Sequence, residues 1–123
     1  MRKYTILKET VPMNHSGAVV KKIMIYSHKK EGAFLFLFET TDEYSGCSAD
    51  LWFQDVKEAE ECAVEDYGVN PEDWIMIDDP LPDCQHDMIH PIRIKGRNSG
   101  NPKWGELEIF DGTKWVDITG VKY

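Results

Sequence analysis

AVVKKIMIY (residues 18–26) and AFLFLFE (33–39) are the stretches on which the fold turns. The first is rich in β-branched residues and predicts a strand. The second is a continuous apolar run, which suits a central strand covered on at least one face. Between them, Glu31-Gly32 follow a basic SHKK segment and turn the chain. Working outward, YTILKETV (4–11) reads as a strand closed by Pro12 and the turn-prone Asn14-His15-Ser16-Gly17. TDEYSG (41–46) is a turn or loop, and SADLWF (48–53) a fourth strand. Three short connections in succession favour antiparallel neighbours, because parallel crossovers need more chain.

One helix is well marked. Asp55 suits an N-cap and Glu58 follows three positions later, a D-x-x-E form of the capping box. Val56, Ala59, Cys62 and Ala63 recur at helical spacing and would line one face, while Lys57, Glu58, Glu60, Glu61, Glu65 and Asp66 occupy most of the rest. Gly68 is a natural stop. Small inward residues predict close packing on the sheet. Beyond the helix, Asn70-Pro71-Glu72-Asp73 resembles a capped turn and WIMI (74–77) a short strand. DDPLPDCQHD (78–87) should be an irregular loop, PIRIK (91–95) a short strand and GRNSGNP (96–102) the most flexible segment. WGELEIF (104–110) and KWVDI (114–118) flank Asp111-Gly112, a hairpin signal. The expected class is α+β: an antiparallel β-meander with one main helix packed on it and a C-terminal β-hairpin, as a single domain over 1–123. Trp52 and Trp74 flank the helix and are expected in the core. Trp104 and Trp115, with Phe110, would form an aromatic surface on the hairpin.

Hydrophobic residues at 41% and charged residues at 29% give a globular composition and exclude a disordered one. The longest apolar run, Ala33 to Phe38, is too short for a membrane helix, and the apolar stretch of MRKYTILKET is too short for a signal peptide. Three cysteines without a CxxC argue against a disulfide framework or a zinc ribbon. Reduced thiols and a cytoplasmic location are the expectation.

The net charge of −8 conceals a segregation. Residues 1–38 carry seven basic side chains against two acidic, residues 39–87 sixteen acidic against Lys57 alone, and residues 88–123 six basic against four acidic. Aliphatic and aromatic residues interrupt the acids throughout, so a folded acidic face is expected and not a disordered acidic tract. Such a face either serves solubility or recognises a basic protein partner, since a concentrated field steers association. The residues expected to do so are Glu58, Glu61 and Glu65 on the helix, with Asp78 and Asp79. Trp104 and Trp115 would offer a further partner contact or a homodimer contact through the hairpin. The overall charge disfavours nucleic acid, although Arg93, Lys95, Arg97 and Lys103 run into Trp104.

Chemistry-bearing patterns are few. Cys84, His86 and His90 lie within seven residues, and thiolate and imidazole are zinc ligands. The C-x-H-x₃-H spacing departs from common structural zinc sites and would need a fourth ligand, His15, Cys47 or an acid, or a water. Asp78, Asp79, Asp83 and Asp87 do not match a calcium loop. No nucleophile elbow, phosphate loop or dinucleotide fingerprint is present.

In size, acidity and lack of catalytic motifs the chain resembles bacterial immunity and antitoxin-type proteins, which bind a partner and do no chemistry. The resemblance is one of composition and carries no motif, so it transfers no residues. It implies a non-enzymatic interaction module. The alternative is a metal-binding protein or metal-dependent enzyme organised by Cys84, His86 and His90.

Overall fold

In the first of two compact units, four consecutive strands pair as an antiparallel meander, as the short connections require. The computed structural model describes residues 1–13, 17–28 and 30–118, so Asn14, His15 and Ser16 of the turn expected at 14–17 lie outside it. The first unit comprises residues 1–41 and 47–78, and the second residues 42–46 and 79 onward. The class is α+β, with no helix among the described residues long and apolar enough to cross a membrane.

The first unit contains β1 (Arg2–Pro12), β2 (Val19–Ser27), β3 (Ala33–Phe38), β4 (Ala49–Phe53), helix α1 (Val56–Tyr67) and β5 (Ile75–Ile77). Their order in the sheet is β4-β3-β2-β1-β5, so β5 returns to the outer side of the first strand. Opposed residues share a face of a sheet. The β2–β3 register sets Ile23 against Leu37 and Ile25 against Leu35, which gathers these four on one face with Ala33. There α1 lays down Ala59 and Ala63, both fully buried. Alanine at both contacts lets the helix backbone approach closely. On the opposite face Met24 lies against Phe36 and Tyr26 against Phe34, and the rings of Tyr26, Phe34 and Phe36 stack with centroids 6.1–6.5 Å apart. Lys22 is buried there, its Nζ 4.3 Å from the centroid of Phe38. Only Phe34 of β3 is less than buried, which explains an apolar run without alternation.

Two tryptophans of this unit behave differently. Trp74 packs against the helix-side core as expected. Trp52 does not join it. It is 56% exposed, and its Nε1 donates to the Glu31 carbonyl at 2.9 Å, folding the ring over the β2–β3 turn. Gly32 makes that contact feasible: its φ is 86°, and a Cβ there would sit 2.6 Å from the Phe53 carbonyl and 2.7 Å from the indole.

The second unit holds β6 (Ile92–Ile94), β7 (Leu107–Phe110) and β8 (Trp115–Ile118), in the order β6-β7-β8, the last two forming the expected hairpin. Ile92, Ile94 and Leu107 bury one face around Met88. The segment 96–102 reverses the chain. Arg97–Ser99 form a 3-10 turn, and Asn101 N–H donates to the Gly96 carbonyl at 3.0 Å. Residues 42–46, read from sequence as a plain loop, belong here: the Tyr44 ring stacks on His90 with centroids 4.5 Å apart.

Two outcomes follow from this packing. Ala63→Leu forces extra methylenes between helix and sheet, and should cost about 1–3 kcal/mol in urea unfolding, with an unchanged m-value. The second concerns the hairpin turn. Asp111 Oδ1 accepts from Lys114 N–H at 2.9 Å, from Thr113 N–H at 2.8 Å and from the Thr113 hydroxyl at 2.8 Å. These donors, the Lys114 amide first, hold its carboxyl below the ordinary aspartate value. A depressed folded value contributes stability that is complete above the unfolded value and lost as pH falls through the folded one. The melting-temperature advantage of the wild type over Asp111→Ala should therefore be present near neutral pH and shrink on acidification below aspartate's usual range.

Candidate binding surface

The two ends of α1 are built to different rules. At its start, Asp55 is extended (φ −150°) and its Oδ1 accepts from Glu58 N–H at 2.9 Å, while Glu58 Oε2 reaches back to Gln54 N–H at 3.2 Å. Both carboxylates face the positive end of the helix dipole, and Glu58 thereby serves the cap of the helix. At its end, Gly68 takes the left-handed conformation (φ 68°) and donates to the Val64 carbonyl at 3.2 Å. The final turn carries Glu65 and Asp66 and no basic residue, although the dipole there favours cations.

Between the ends, Lys57, Glu60, Glu61, Val64 and Glu65 form one outward stripe and line an open hollow of about 290 Å³. Glu60 is occupied by Lys3, whose Nζ lies 3.1 Å from its Oε2 and 5.0 Å from the centroid of Trp74. Neither Glu61 nor Glu65 has an ion-pair partner among the described residues. Val64, in the middle of the stripe, is 41% exposed. The Cys62 thiol is pushed up to about 11, chiefly by partial burial, then by its bond to Asp66 Oδ2 at 3.4 Å and the charges of Asp66 and Glu65. Tyr67 is raised too, by burial first and then by the charges of Cys62 and Asp66.

The other residues singled out from sequence divide among separate places. Asp78 is exposed at the end of β5, its carbonyl accepting from Arg2 Nε at 2.8 Å, whereas Asp79, also exposed, begins the second unit. Trp104 is 71% exposed in the turn before β7. Trp115 is half-buried instead: the Arg93 guanidinium carbon lies 3.6 Å from its ring centroid and Phe110 5.3 Å on. Arg93 Nε also meets Glu108 Oε1 at 2.7 Å in a pair that is almost wholly buried. Lys95 holds both oxygens of Asp117 at 2.9 Å, and Arg97 donates to Gln85 Oε1 at 3.2 Å. Three members of the basic stretch are thus engaged within their own unit. The Arg93–Glu108–Trp115 stack is missed in sequence because its parts lie on three strands, and only the charged residues alternating with isoleucine and leucine in IRI and LEI hint at it.

Cys84, His86 and His90 occupy three different surroundings. Cys84 is buried, His86 is exposed, and His90 is half-buried against Tyr44 with its Nε2 3.5 Å from Glu43 Oε1. Among the described residues no group of three or more His, Cys, Asp or Glu side chains is placed to hold a metal ion. All three cysteines are thiols.

No family model matches the chain, and neither a curated protein nor a solved structure matches it significantly.

The arrangement at the end of α1 has a measurable signature. Glu65→Lys and Asp66→Lys should each raise folding stability by about 0.3–1 kcal/mol, read in thermal melts at low salt, and the gain should fade as salt is added. A loss of stability in Glu65→Lys, whose native carboxylate has no ion-pair partner among the described residues, would show that the last turn does not lack a cation.

Proposed function

We propose that the chain is a non-enzymatic interaction module that binds a basic protein partner on the outward stripe of α1, through Glu61 and Glu65 on either side of Val64. One observation carries this reading: the helix ends on acids with no compensating base, where its own dipole favours cations. Residues that break a local rule of stability without an evident gain in the fold are the ones to suspect of serving something else. A lysine or arginine presented by a partner would supply the cation that the last turn lacks. Val64 supplies an apolar contact at the centre, and the open hollow around it admits a side chain. The surrounding negative field would speed encounter and make the complex sensitive to salt.

The test is capture from a lysate of the native host, with wild-type protein and a Glu61→Lys/Glu65→Lys variant as parallel baits. A specific basic protein, retained by the wild type, released by salt and recovered about tenfold less on the variant, is the expected result, a difference of about 1.4 kcal/mol. Equal recovery on both baits, or no specific partner, overturns the reading.

A further inference from the structure

The first unit has a sheet edge that no strand of the described residues extends. Strand β5 is the last strand on its side of the five-stranded sheet, and on its outer side no strand of the described residues pairs with it. The direction of its hydrogen bonds follows from the start of β1. The Met1 amino group donates to the Ser27 carbonyl and Ser27 N–H to the Met1 carbonyl, both at 2.9 Å, so these two residues exchange their bonds. Alternation along an antiparallel pair then turns the amides and carbonyls of Lys3 and Thr5 toward β2, and those of Arg2 and Tyr4 toward β5. Arg2 lies opposite Ile77 and Tyr4 opposite Ile75, so residues 75 and 77 bond inward. Met76 therefore turns its N–H and C=O outward.

Its side chains are also those of an edge prepared for company. Ile75 is 50% exposed, Met76 63%, and Ile6 on the neighbouring strand 51%. Ile75–Ile77 carries no lysine, proline or bulge, and of the devices that normally blunt an edge only its three-residue length is present. Charge selects the occupant. A second copy pairing antiparallel about Met76 would bring the Glu72-Asp73 end of one strand, where Lys8 meets Asp73 alone at 3.6 Å, toward Asp78 of the other, acid on acid at both ends. An extended segment with basic residues at its flanks meets favourable charge at both.

We propose that β5 is a strand-addition site, taking an extended protein segment whose short apolar centre, paired on Met76, is flanked by lysine or arginine. Main-chain bonds to Met76 supply the pairing, apolar residues of the segment cover Ile75 and Ile77, and the flanking acids choose basic sequences over others. This site is separate from the helix stripe and does not depend on it.

The probe is a fluorescein-labelled peptide, Lys-Lys-Val-Thr-Val-Lys-Lys, titrated with the full chain and followed by anisotropy. Two changes remove the pairing while sparing the fold. N-methylation of the central threonine deletes its donor to the Met76 carbonyl and leaves the protein untouched. Met76→Pro deletes the outward N–H, and an edge strand tolerates proline when that N–H faces solvent. Each should weaken binding about tenfold or more, equivalent to about 1.4 kcal/mol. Replacing the four lysines by glutamate should abolish binding, and the Glu61→Lys/Glu65→Lys protein should still bind. Binding that survives both Met76→Pro and N-methylation but disappears in the Glu61→Lys/Glu65→Lys protein would overturn strand addition and leave the helix stripe as the basic-ligand site. No binding of the lysine peptide to the wild type overturns it outright.

Discussion

The structure depends on one constraint: β3 is apolar on both sides and must be covered on both sides. A strand reading AFLFLF cannot leave either face in water, since each of its large side chains is worth about 1.5–3 kcal/mol when removed from it. On the side of Ala33, Leu35 and Leu37 the cover is α1. Because Ala59 and Ala63 are the residues that fit closely there, the helix has no freedom to rotate about its axis. Val56, Cys62 and Tyr67 pack partly buried beside them, and the positions turned to solvent are Lys57, Val64 and most of the acids. The negative stripe is thus oriented by the demands of a strand that bears no charge.

The two units treat charge in contrasting ways. In the second, Arg93, Glu108, Lys95 and Asp117 neutralise one another across three strands, and Trp115 stacks on the guanidinium. Such a ladder is closed on itself: each of these charges has its partner, buried for Arg93–Glu108 and exposed for Lys95–Asp117. In the first, Lys3 and Lys8 answer Glu60 and Asp73, but Glu61 and Glu65 are left with solvent. Fields that are closed inside a fold hold it together, and a field left open acts at a distance.

The elements were legible in the sequence where the signal is local. Period-2 and continuous apolar runs mark β1 to β4, Asp55 and Gly68 bracket α1, and Asp111-Gly112 makes the hairpin. What escaped depends on contacts between distant segments. Trp52 reads as core by its size, yet its indole N–H finds the Glu31 carbonyl 21 residues away and the ring lies on Gly32, a position that only a residue without Cβ can offer. Trp115 reads as surface by its place on a hairpin, yet Arg93 comes to it from across the sheet. Of the candidate site, the acidic helix face was readable from spacing. The role of Glu58 in the cap was readable too, from its distance to Asp55, whereas the outward turn of Met76 follows from register and from nothing in its own neighbourhood.

The loop at residues 42–46 has a consequence for how the molecule can be divided. The chain leaves the first unit after Thr41, contributes Glu43 and Tyr44 to the surroundings of His90, and returns at Cys47 before completing β4 and α1. The units are therefore interleaved along the polypeptide and do not follow each other as beads. A scissor placed after Asp78 separates no complete part: the N-terminal fragment carries away the aromatic partner of His90, and the C-terminal fragment lacks it. Neither unit can be exchanged as a cassette by recombination at a single junction. Inheritance of the two together is built into the order of the residues.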